Sequence, residues 1–99
     1  MKEIKKLSEQ MKEELHDACS YVKCAISYKD SDRELAEMYF SLSKAEVEHS
    51  DLEHAQAVRL IKAAGKDAPE AMKAVWDYIH EQLIEEKAEV KRLQAIYRE

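Results

Sequence analysis

Leu35 to Leu60, LAEMYFSLSKAEVEHSDLEHAQAVRL, is the stretch whose reading decides the fold. With a helical period it places Leu35, Tyr39, Leu42, Glu46, His49, Glu53, Gln56 and Leu60 on one inward face, apolar at its ends and polar between them. Removing a charged group from water without a partner costs roughly several kcal/mol before relaxation. Such a face must therefore be wet or hold something positive. Glu46 and His49 stand three residues apart on neighbouring turns. Together they offer a carboxylate oxygen and an imidazole nitrogen to one transition-metal ion.

Outward from this stretch, both flanks read as turns. Asp30-Ser31-Asp32 precedes it, with Ser31 or Asp32 as N-cap, and Gly65 follows Ala64 as a C′ residue before Lys66-Asp67-Ala68-Pro69. The first helix is predicted over 2–29, with Ile4, Leu7, Met11, Leu15, Ala18, Val22 and Ala25 inward and Glu14 and Tyr21 at the edge of that stripe. The third is predicted over 69–98, with Met72, Trp76, Ile79, Leu83, Glu86, Val90, Leu93 and Tyr97 inward. The expected fold is all-α, a single domain over 1–99. An antiparallel helical hairpin is joined by a third long helix.

Composition agrees. Of 99 residues, 37% are charged and only one is Gly and one Pro, the make-up of long amphipathic helices rather than sheets. A net charge of -5, with Lys and Glu alternating and no continuous basic face, argues against nucleic acid and against anionic membrane surfaces. The N-terminal MKEIKKLSEQMKEEL lacks the apolar run of a signal peptide, and no window has the length to span a bilayer, so a cytoplasmic protein is expected. Cys19 and Cys24, five apart on one helix, point in different directions and read as small packing side chains.

Height along the bundle adds a second constraint. Positions equidistant from the first turn lie level, which sets Glu14 opposite Glu46 and Met11 opposite His49; the second turn sets Glu86 level with both. The inward polar groups of three helices then share one layer. A second Glu-x-x-His, Glu13 with His16, faces away from the apolar stripe and carries no such meaning. His54 and His80, each three residues after an aspartate, are read as surface pairs, with His80 nearer the edge. No Gly-rich phosphate loop or nucleophile elbow is present.

Glu14 followed by Tyr21, and then by Ala45-Glu46-Val47-Glu48-His49, resembles the first two helices of the ferritin-like superfamily, nearest its rubrerythrin-type branch. The resemblance implies a di-iron carboxylate centre that oxidises ferrous iron or reduces peroxide. Glu14 corresponds to the first-helix ligand, Glu46 to the bridging carboxylate and His49 to the imidazole ligand; Glu86 resembles the third-helix carboxylate. Glu53 stands as a neighbouring acceptor. Tyr21 and Tyr39 are candidates to donate a hydrogen bond or an electron, beside their plainer reading as aromatic packing.

The chain departs from that family by stopping after three helices, without a second Glu-x-x-His on the apolar face. Two chains pairing through their first two helices, as in the small encapsulated ferritins, would complete a four-helix bundle with two irons per dimer. Alternatively Glu86 completes a site within one chain. The dimer is favoured because it doubles the half-site without further residues. Manganese and zinc accept the same ligands. The competing expectation is a metal-free helical module whose apolar stripes pair with a second copy or a partner helix.

Overall fold

The structure is a computed structural model and describes residues 2–67 and 69–99. Among the described residues there are three long helices, α1 (Lys2–Tyr28), α2 (Arg33–Ala64) and α3 (Glu70–Arg98), with one 3-10 turn over Gly65–Asp67. They lie side by side in a rod of 55 × 17 × 16 Å. No described helix is long and apolar enough to cross a membrane.

Each boundary has a local cause. Of the two expected caps it is Asp32 that begins α2, its side chain accepting a hydrogen bond from the Leu35 amide at 3.1 Å. A cap of this kind contributes about 1 kcal/mol. At the other end Gly65 turns to φ +49°, where a side chain would be strained, and its amide returns to the Ile61 carbonyl. The Pro69 carbonyl accepts from the Met72 and Lys73 amides, so the proline stands just before the first turn of α3. Ala68 of that expected connection lies outside the described residues.

Small side chains set the spacing. Ser8, Ala18 and Ala25 on α1 and Ala36, Ser43, Ser50 and Ala57 on α2 are all buried, and with so little between them α1 and α2 pack closely along their length. Meetings between the two include Ala18 with Ser43, and Tyr21 and Tyr28 with Tyr39. Larger groups separate α2 from α3: Phe40 stacks on Tyr97 at 4.6 Å between ring centres, and His54 meets His80. One polar node joins all three helices. Ser43 Oγ donates to the Ala18 carbonyl at 2.7 Å and accepts from Gln94 Nε2 at 3.1 Å, which pins the mutual heights of the helices.

The inner stripes of α1 and α3 match their expected positions closely. Ile4, Met11, Leu15, Ala18, Val22 and Ala25 are buried on α1, as are Met72, Trp76, Leu83, Val90, Leu93 and Tyr97 on α3. Leu7, Ile79 and Glu86 are half-buried. On α2 the expectation is corrected. The buried face is Ala36, Phe40, Ser43, Val47, Ser50 and Ala57, a neighbouring stripe to the one expected. Leu42, His49 and Gln56 are exposed, and Leu35, Tyr39, Glu46, Glu53 and Leu60 are half-buried. The physical reason is the seam with α1: serines and alanines permit the close approach that Leu35, Tyr39 and Leu42 would obstruct. The expected stripe is thus a second, partly open face of the α1–α2 pair.

Candidate metal centre

Glu14 comes from mid-α1, and Glu46, His49 and Glu53 from mid-α2. Because α1 and α2 are so close, Glu14 and Glu53 meet across the seam. Written as carboxylates, Glu14 Oε2 and Glu53 Oε1 are both buried with no hydrogen-bond donor. A proton on Glu53 supplies the missing donor. Burial first, then the hydrogen bond to Glu14 and the charges of Glu14 and Glu46, lift Glu53 to about 8.

Glu46 leans on the same cluster with its side chain 20% exposed, while the His49 ring is 55% exposed. Glu46 Oε1 lies 3.2 Å from His49 Nδ1. With Nδ1 donating to the carboxylate, Nε2 keeps its lone pair. Among the described residues, no three His, Cys, Asp or Glu side chains of one chain are poised to hold an ion together. The half-cluster brings buried oxygens and an outward imidazole to one face without closing around a point.

Glu86 is placed elsewhere. It lies on the α1–α3 groove with Lys12, Glu13, His16 and Asp17, not with Glu46. Height alone does not determine angular position; Leu83 and Val90 take the core direction and turn Glu86 towards the outer flank of α1. Tyr21 and Tyr39 stack at 6.3 Å, and Tyr39 stacks on Tyr28 at 6.0 Å. Tyr21 is two turns from Glu14, an axial rise of about 10 Å, so this stack closes the turn end of the open face.

His54, which spacing alone puts on the surface, is half-buried between helices, its Nε2 2.9 Å from His80 Nε2. Spacing along one helix carries no signal for such a meeting. Cys19 and Cys24 are free and half-buried.

The raised Glu53 has a direct consequence. The unfolded chain releases this proton near pH 4.5 and the folded chain near 8, so metal-free stability should fall as pH rises through that window and level off above it. The expected loss is on the order of 2 kcal/mol, less than the full shift because the side chain is partly solvated. Urea unfolding at pH 5, 7 and 9 measures it. Glu53→Gln, which keeps a donor towards Glu14, should flatten the slope; an unchanged slope would place the titrating group elsewhere.

No protein-family model, curated protein or solved structure matches the chain.

Proposed function

We propose that the chain is a ferritin-like di-iron carboxylate protein in which two copies pair through the open α1–α2 face. Each copy is an antiparallel helical hairpin backed by α3, and an isologous pairing of two hairpins makes a four-helix bundle. Glu14, Glu46 and His49 of each copy would hold the metal, with Glu53 beside them as a carboxyl that gives up its proton when a cation replaces it. The observation that carries this reading is the pair of buried, donorless oxygens on Glu14 and Glu53, on the face that also bears Glu46 and His49. The apolar ends of that face, Leu35, Tyr39 and Leu60, support burial against a second copy.

The bound irons would supply the redox chemistry, either oxidation of ferrous iron or reduction of peroxide. Carboxylate oxygens favour the ferric state, and the imidazole leaves positions open to a small oxidant. Manganese or zinc would fit the same donors.

Titrating the metal-free protein with ferrous iron in air, with sedimentation run in parallel, tests this. A dimer should take up two irons, develop ultraviolet charge-transfer absorbance and melt at higher temperature. A species that binds no iron at any ratio would overturn the metal reading; if it still dimerises through this face, the metal-free pairing module is the function.

A further inference from the structure

Where α2 faces α3, a pair of imidazoles comes together. His54 Nε2 and His80 Nε2 are 2.9 Å apart with the ring centres 4.8 Å apart, and Trp76 lies parallel to His80 at 5.3 Å with an interplanar angle of 7°. The two rings border a cavity of about 140 Å³ whose rim includes Asp51 and Lys87. Asp51 precedes His54 by one turn and accepts from Lys87 Nζ at 2.6 Å.

We propose that this cross-helix imidazole pair is a binding site for a divalent late first-row transition-metal ion of the zinc type, which staples α3 to α2. The contact requires one Nε2 to be protonated and the other to accept, so a single proton holds two nitrogen lone pairs face to face. A zinc ion in its place, bonded at about 2.0–2.1 Å to each nitrogen with a tetrahedral angle, needs them roughly 3.3 Å apart, a widening of about 0.4 Å. Half-buried side chains bordering a cavity can make that adjustment by small rotations. His54 and His80 are the two protein donors, and the adjoining cavity admits waters to complete the coordination.

The neighbourhood suits a borderline cation. Imidazole nitrogens select zinc, copper, nickel or cobalt over magnesium or calcium. Burial, then the charges of His80 and Lys87, hold His54 below the ordinary imidazole value against the opposing pull of Asp51, so this ring is neutral at pH 7. Met11, Leu15 and Leu83 on the inner wall limit solvent access from the core side. Trp76 fixes the plane of His80, which lowers the cost of orienting it. This site uses none of Glu14, Glu46 or His49 and does not depend on the iron reading.

The test uses the full chain carrying Glu46→Ala and His49→Ala together, so that the open face offers no imidazole. Zinc chloride titrated calorimetrically into it should saturate at one ion per chain and raise the melting temperature, and cobalt chloride should develop visible ligand-field bands. His54→Gln and His80→Gln, which preserve a polar contact, should each weaken zinc binding at least tenfold with the helical circular dichroism unchanged. On the unsubstituted chain, zinc should shift the ring resonances of His54 and His80 and leave those of His16 in place, a readout that needs no substitution here. Absence of saturable binding in the substituted background, or undiminished binding when both His54 and His80 are Gln, overturns the proposal.

Discussion

Glu46→Ala and His49→Ala are each expected to abolish stoichiometric iron uptake while the metal-free helices melt at the parental temperature or slightly above it. The expectation follows from where each side chain stands. Glu46 adds negative charge to a cluster that already contains Glu14 and Glu53, and its field is one of the causes that hold the Glu53 proton on. Its removal relieves repulsion in the metal-free state and deletes an oxygen donor in the loaded one. The His49 ring is largely exposed and its polar partner is Glu46, so truncation costs little packing. Iron per chain, measured after desalting, should fall from about one to background, a loss set by ligand count rather than by gradual weakening. Glu48→Ala, on an exposed neighbouring position, should retain full uptake and serves as the control. Should both variants unfold and the parent show no effect of metal, the two side chains are structural partners and the metal reading fails.

Leu15→Ala should cost about 3 kcal/mol of stability. Leu15 is 1% exposed and lies in the cluster that joins Met11, Ala18, Val47 and Leu83. It also walls the cavity beside His54 and His80, so the vacated volume would merge with space already present and neighbours would collapse into it poorly. A domain of this size has a total stability of about 5–15 kcal/mol, so the midpoint of urea unfolding should drop visibly with an unchanged slope. Leu52→Ala, on a residue 68% exposed, should stay within about 0.5 kcal/mol of the parent. Equal effects at the two positions would mean that the α1 core contacts are not those described.

Much of this was legible in the sequence because it is decided locally. Asp32 and Gly65 mark the ends of α2 through a side-chain acceptor and a left-handed backbone, both properties of single residues. The stripes of α1 and α3 are single and rich in large apolar groups, so periodicity alone locates them. Helical spacing makes Glu46 and His49 adjacent and counting from the turn brings Glu14 near their level, but neither gives the contact between Glu14 and Glu53. Neither rule gives an angle about the axis, which is why Glu86 was expected in their layer and stands on the opposite groove.

By itself the sequence determined three helices, their ends, and the inward faces of the first and third, because hydrogen bonding and periodicity act within a few residues. Only the tertiary structure decided which stripe of α2 is covered. Ala36, Ser43, Ser50 and Ala57 carry little hydrophobic signal, yet their smallness lets α1 approach, and the polar node at Ser43 rewards that choice. Once that face is taken, the carboxylates are left on the open side and His54 is turned to meet His80. Both outcomes come from how closely two backbones can pack, a property of surfaces in contact that no one helix contains.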